Sequence, residues 1–440
     1  AIASVTGNAD LVEKVLSMRG GFYDQLKRSI GSDGLWYEGS MAYHKYALQA
    51  MEDIVETGER IDLPLAKQPK FRAMIEAPLH TTYPNGIFPA INDSDQTSIA
   101  MFNNDFEWAW KTYHDPIFAQ AAAWKNPQKL TELLGKDAKP VWPLSTKSEN
   151  LAAAGLAILR QGTGDQMSCI FIDYGPHGGD SGGHGHYDKL NFMLFANGRE
   201  WLLDPGRLSY SHKEYKTWVK ETAAHNTVTL GGKSQQATTG KFLYMDTGKN
   251  WSAVATQSSG AYAGAVLTRY LLLTDKMLVD VYDVKAPEKT QIDWLAHAVV
   301  PALQPVENLG DGVAMVPGDA NGYQHLTGGI MRQSTGDSQW DFVDKISDPN
   351  ALRLRLWLVG EPEEQIFTAT GIGYTVNQKA PTLIRRRNAA STRFVTVYDL
   401  SGHADYVTGV ELDKVNELHL ITTDGKWNVP KMTYGAKVYT

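Results

Sequence analysis

The stretch GGHGHYDKLNFMLFANGREWLLDPG, residues 182–206, decides how this chain is read. Two apolar runs, NFMLFA and EWLLD, flank Asn197-Gly198. Asn-Gly is the strongest short hairpin signal, because a two-residue type I′ turn needs positive φ at both positions. The pairing set by such a turn places Asp204 opposite Asn191, several residues from His186. The preceding GGHGHYD therefore cannot continue the strand if His186 and Asp204 are to meet; it must curl back as a loop. Glycines at 178, 179, 182, 183 and 185 permit that.

Outward from this hairpin, the chain after PVWPLSTKSEN (140–150) consists of short runs rich in β-branched and aromatic residues. Examples are AILRQG, SCIFIDY, NTVTLGG, KMLVDVYDV, RLRLWLVG and RFVTVYDL, separated by Gly, Asn, Asp and Pro. That pattern predicts antiparallel sheets stacked as a sandwich. Before it the period is helical. Leu11, Val15, Phe22 and Leu26 mark one face; His44, Ala47, Leu48, Met51 and Val55 a second; Phe71, Met74, Ile75 and Leu79 a third. Breaks at GSDG (31–34) and TTYPNG (81–86) make this half a set of antiparallel helix pairs. The expected architecture is an α+β multidomain chain with a helical domain over 1–140 and an antiparallel β-sandwich over 141–440. A chain of 440 residues is too long for one ordinary core, which agrees.

Composition excludes several functions. The net charge of −7 and the lack of a basic face argue against a nucleic-acid partner. No apolar run reaches the roughly eighteen residues of a membrane-spanning helix, so no membrane partner is expected. The single cysteine, Cys169, rules out an internal disulfide and a thiolate-rich zinc site, and it reads as a small buried hydrophobe. The 20 Tyr and 12 Trp suit either sugar stacking or core packing.

Five of the twelve histidines, His177, His184, His186, His212 and His225, cluster around the hairpin. His184 and His186 are two apart, so in extended chain both point the same way. Two imidazoles and a carboxylate, His186, His225 and Asp204, suit Zn²⁺ with a fourth position open to water. A metal-free hydrogen-bonded His/Asp network is the alternative.

HGHYDKLNFMLFANGREWLLDPG followed by TAAHNTV resembles the heparinase II/III-like domain of polysaccharide lyases that join an α/α toroid to a β-sandwich. DGLWYEGSMAYHKYAL (33–48) independently resembles the toroid motif of the same enzymes, especially the alginate and oligoalginate lyases. The resemblance implies that Tyr43 is the catalytic tyrosine and that His184 lies near the scissile uronate. It further implies that His186, Asp204 and His225 hold a structural Zn²⁺. Tyr210 and Tyr215 lie where members place a second active-site tyrosine, and the spacing does not choose between them. The family's carboxylate-binding Asn or His lies further upstream than the 42 residues that precede Tyr43. The chain is therefore expected to be a processed or truncated piece, with a second chain or an N-terminal segment completing the toroid. Periplasmic or secreted location is implied by the resemblance alone.

Such enzymes cleave 4-O-linked uronic-acid polymers by β-elimination. The C5 proton is weakly acidic until the neighbouring carboxylate is neutralised, so the site needs donors on that carboxylate, a base at C5 and an acid at O4. A tyrosine serves as base or acid once its pKa of about 10 is lowered by nearby cations or donors. His44 and His184 are candidates to supply that environment; otherwise Tyr43 is a packing aromatic. Asn92 and Asp93 in FPAINDSDQ either face the substrate or form an Asx turn. Arg385, Arg386 and Arg387 either meet an acidic substrate or form a solvated strand end. His297 reads as a core histidine, and His177 and His212 as loop residues. The expected substrate is alginate or oligoalginate. Alternatives are a glycosaminoglycan such as heparan sulfate, which needs convergent Lys or Arg for sulfate, or a non-catalytic carbohydrate-binding protein of the same fold.

Overall fold

The computed structural model describes residues 5–177, 184–307, 309–348, 350–413 and 417–429. The glycines expected to curl the loop at 178, 179, 182 and 183 lie outside the described residues. The chain divides into two compact units. One takes residues 5–145, 151–154 and 184–185; the other takes 146–150, 155–177 and the chain from 186 onward.

The first unit is helical. Its helices among the described residues are α1 (Ala9–Ser17), α2 (Phe22–Arg28), α3 (Met41–Glu59), α4 (Pro69–His80), α5 (Asn103–Tyr113), α6 (Pro116–Ala122) and α7 (Pro127–Leu134). Starts follow capping chemistry: Asn8, Asp115 and Asn126 accept from backbone N–H groups in the first turns of α1, α6 and α7. The predicted stripes Ala47, Leu48, Met51, Val55 and Phe71, Met74, Ile75, Leu79 are buried, in one core with Phe102, Phe106 and Phe118. The first stripe needs correction. Leu11 and Val15 are exposed, whereas Phe22 and Leu26 are buried. These pairs belong to different helices, because the chain breaks at Gly20, whose φ of +80° ends helical progression.

The second unit is β. A five-stranded antiparallel sheet runs in the order β1 (Glu149–Leu151), β2 (Leu156–Gln161), β3 (Ser168–Asp173), β4 (Phe192–Ala196) and β5 (Arg199–Leu202). Strands β6 (Val228–Leu230), β7 (Lys241–Thr247), β8 (Ser252–Ser258), β9 (Val266–Leu273), β10 (Met277–His297), β11 (Ala302–Pro305), β12 (Val313–Ala314), β13 (Thr327–Gln333), β14 (Ser338–Val343), β15 (Arg353–Val359), β16 (Gln365–Ile372) and β17 (Lys379–Asp399) form a second, twelve-stranded sheet. Its spine is the antiparallel pair β10 and β17, each of 21 residues. Leu159, Ile170, Phe192, Leu194 and Trp201 share one core with Leu271, Trp294, Leu383 and Tyr398 from the large sheet, which makes the two sheets a sandwich. A three-stranded sheet, β18 (Val407–Leu412), β19 (Leu418–Thr422) and β20 (Gly425–Asn428), adds Leu418 and Leu420 to a further core with Val279 and Val397.

The Asn197-Gly198 turn forms as predicted, with φ of 53° and 74°. The register does not run straight. Ala196 pairs with Arg199 and Phe195 with Glu200, but Leu194 then pairs with Leu202, a one-residue bulge on β5. Arg385, Arg386 and Arg387 sit neither at a strand end nor in solvent. They lie inside β17, where Arg385 and Arg387 converge on buried Glu364 at 2.5 and 2.7 Å, and Arg386 pairs with Asp293 at 2.8 Å. A buried guanidinium needs a carboxylate partner, and these carboxylates occupy all three.

Candidate active site and metal centre

Tyr43 occupies the first turn of α3. Gly39, with φ of 67°, turns the chain into that helix. The loop carrying Asn92, Asp93 and Ser94 is fastened to the same helix start. Asn92 Nδ2 donates to the Gly39 carbonyl at 3.0 Å, Ser40 Oγ donates to the Asp93 carbonyl at 3.1 Å, and Met41 N–H donates to Ser94 Oγ at 3.0 Å. Ser94 thus caps α3 from a distant segment.

His184, in the first unit, docks on this platform. Its ring stacks on Tyr43 with centroids 3.9 Å apart and planes at 28°. Nδ1 lies 3.0 Å from Oδ2 of Asp93, a fully buried carboxylate, and the Asp93 N–H donates to the His184 carbonyl at 3.2 Å. Glu38 Oε1 is 3.9 Å from His184 Nε2, and Trp36 Nε1–H donates to its other oxygen at 2.8 Å. Asp93 therefore holds a histidine, and Asn92 holds its own loop to Gly39. His44 is not placed to bind substrate: it is buried, its Nδ1 accepts from Trp36 N–H at 3.2 Å, and its Nε2 lies 2.9 Å from the Met74 carbonyl. Burial lowers its pKa to about 4, so it is a neutral structural ring.

His186 parts from His184, against the extended-chain expectation, and joins a buried group in the second unit. Donor atoms of His186, Asp188, Asp204 and His225 all lie within 4.8 Å of one another. The chain curls back here at Lys189–Leu190, where Leu190 has φ of 66° and Asn191 N–H donates to the Asp188 carbonyl at 2.8 Å. Asn191 Nδ2 donates to Asp204 Oδ2 at 2.8 Å, so this pair meets despite the bulge. His225 Nδ1 lies 3.0 Å from the Glu221 carbonyl, which turns Nε2 toward the group, as the outer partner of a metal-bound imidazole does. These residues fit a divalent cation. Asp188, missed in the sequence, stands two places after His186 in HGHYD, and that spacing was the available signal.

The remaining candidates separate. Tyr210 is exposed and Tyr215 buried, with rings edge-to-face at 4.8 Å. Tyr215 opens a π-helical turn, Tyr215–Val219. His297 is in the core, its Nδ1 2.9 Å from Thr382 Oγ1, and burial lowers its pKa to about 3. His177 and His212 lie in loops, His177 stacked on Tyr187. Burial pushes the Cys169 thiol up to about 11, in keeping with a packing role.

Residues 143–385 match the heparinase II/III-like C-terminal domain, and residues 20–118 match the heparinase II/III N-terminus. The chain belongs to the heparinase II/III-like family. An exo-oligoalginate lyase of Saccharophagus degradans is 26% identical, over 91% of this chain and 61% of its own length. A heparin-sulfate lyase of Pedobacter heparinus is 24% identical, over 60% of this chain and 39% of its own. Among solved structures, heparan sulfate lyase HepC from Pedobacter heparinus superposes with a TM-score of 0.67 at 18% identity, covering 93% of this chain and 60% of that one. The chain thus spans about three fifths of the length of the oligoalginate lyase and of HepC, and about two fifths of the heparin-sulfate lyase. The structural likeness is one of fold: a helical part of the α/α-toroid type followed by an antiparallel β-sandwich, as the motifs implied.

Proposed function

We propose that this chain carries the reacting residues of a polysaccharide lyase that cleaves 4-O-linked uronic-acid polymers, alginate or oligoalginate, by β-elimination. The observation that carries the reading is the grouping of Tyr43, His184 and Asp93. A tyrosine hydroxyl and an imidazole are the two side chains suited to proton transfer at C5 and O4, and here they are stacked and braced by a buried carboxylate.

In this reaction a base removes the C5 proton, the electron pair forms the C4–C5 double bond, and the O4 leaving group departs with a proton. Tyr43 is the acid/base. Asp93, by accepting at Nδ1, fixes the ring angle of His184 and which nitrogen carries hydrogen. His184 is then pre-oriented beside the substrate and beside the tyrosine hydroxyl, whose ionisation a nearby donor or positive charge favours. His186, Asp204 and His225 would hold Zn²⁺, which supplies a structural tie between the 186–188 segment and the sheet.

An unsulfated substrate is favoured for two reasons. The arginine triplet, the one sulfate-binding candidate in the sequence reading, is consumed by Glu364 and Asp293. The oligoalginate lyase relative also matches more of the chain than the heparin-sulfate lyase does. The test is incubation with mannuronate-rich and guluronate-rich alginate, their oligomers and heparan sulfate, following ultraviolet absorbance of the unsaturated product. Product from alginate oligomers alone supports the reading. Product from heparan sulfate alone overturns the substrate, and no product from any uronate overturns the lyase.

A further inference from the structure

The buried group in the second unit has one carboxylate more than a three-ligand zinc site with an open position. Both oxygens of Asp188 are buried and accept no hydrogen bond among the described residues, and Lys189 Nζ stands off at 3.4 Å from Oδ1. Lys189 sits closer to Asp173, so one ammonium is shared between two aspartates. Asp173, Asp188 and Asp204 are then three buried carboxylates with one lysine among them, a costly arrangement unless something more that is positive joins them. The histidines cannot supply two charges as they stand. His186 Nδ1 and His225 Nε2 face each other at 3.2 Å, a separation at which two N–H groups clash and only one proton is shared.

The donor spacings point to what does fit. Zinc with ligands at about 2.0–2.1 Å in tetrahedral geometry sets donor atoms roughly 3.3 Å apart. The observed separations are 3.2 Å for His186 to His225, 3.6 Å for His225 to Asp204, and 4.0 Å for both His186 to Asp204 and His225 to Asp188. One divalent ion with two neutral imidazoles and two carboxylates is charge-neutral and satisfies the orphaned oxygens.

We propose that Asp188 is the fourth protein ligand, so that the metal is closed off by two histidines and two aspartates. No position then remains for water or a substrate carboxylate. This rests on the metal reading above, and it makes the ion structural by coordination rather than by analogy. The experiment uses the purified chain reconstituted with Co²⁺, whose visible spectrum reports coordination, and Zn²⁺ binding measured by competition with a chromophoric chelator. The wild type should bind one equivalent with a tetrahedral Co²⁺ spectrum that added azide leaves unchanged. Asp188→Asn should weaken Zn²⁺ binding by more than about tenfold and yield a Co²⁺ spectrum that azide shifts. An azide-sensitive wild-type spectrum overturns the fourth ligand even if the variant fails to fold. So does Asp188→Asn with unaltered affinity and spectrum. A wild type that takes up neither metal overturns the metal reading itself.

Discussion

The imidazole of His184 lies almost flat on the ring of Tyr43, 3.9 Å between centroids, although 141 positions separate them in the chain. Such a contact sets two side chains suited to proton transfer on one surface. It also makes the orientation of one ring depend on whatever braces the other. Asp93 is that brace, and Asp93→Asn keeps the shape while replacing an acceptor by an amide. We expect turnover on alginate oligomers to fall by about 10²-fold or more with KM little changed, because the ring, not the binding surface, is disturbed. A proportionate rise in KM with unaltered turnover would place Asp93 in substrate binding instead.

His44 gives a pH prediction. Its folded pKa of about 4 lies below the unfolded value of 6.5, so between these values the unfolded chain binds the proton and the folded one does not. The contribution is complete above pH 6.5 and is lost as pH falls toward 4, on the order of 3 kcal/mol over that window. Denaturant unfolding of the wild type should show this slope, and His44→Gln, which does not titrate, should flatten it. Equal slopes in the two proteins would refute the assignment.

Glu364 joins Arg385 and Arg387 inside the large sheet. Glu364→Gln leaves buried Arg385 without its carboxylate and Arg387 with Glu361 alone, and should cost about 3–5 kcal/mol in denaturant unfolding. A loss under about 1 kcal/mol would mean that water or another acid takes over the pairing.

Metal removal should act on stability. Dialysis against a chelator is expected to lower the melting temperature, and added Zn²⁺ to restore it, since binding free energy at such a site is folding free energy. Identical melting curves before and after chelation would contradict a structural ion.

The fold was legible where one local signal dominates. Asn197-Gly198 needs positive φ twice, and no strand tolerates that, so the hairpin could be read from two letters. The bulge beyond it could not, because Leu194 pairs with Leu202 through packing of the whole sandwich. Arg385 to Arg387 misled for a related reason: their partners Glu364 and Asp293 are 21 to 93 positions away, and charge in a sequence carries no partner label. Tyr43 and His184 were reached through motif resemblance; residue types alone left Tyr43 as a packing ring. Asp93 was seen as polar and near a turn, but its role depends on the docking of residue 184, which spacing does not reveal. The two-residue spacing of Asp188 from His186 in HGHYD is a signal for a ligand, but the reversal at Lys189–Leu190 that brings it to Asp204 and His225 is not visible in that spacing.

The central claim is that the Tyr43 hydroxyl transfers the proton. Tyr43→Phe removes that oxygen alone and retains the ring against His184. In a protein of demonstrated lyase activity on uronate oligomers, the substitution should lower turnover by about 10²- to 10⁴-fold, with melting temperature and metal content unchanged. A Tyr43→Phe protein that keeps more than about a third of wild-type turnover, far outside that range for a general acid/base, would contradict the account and leave the tyrosine a packing residue.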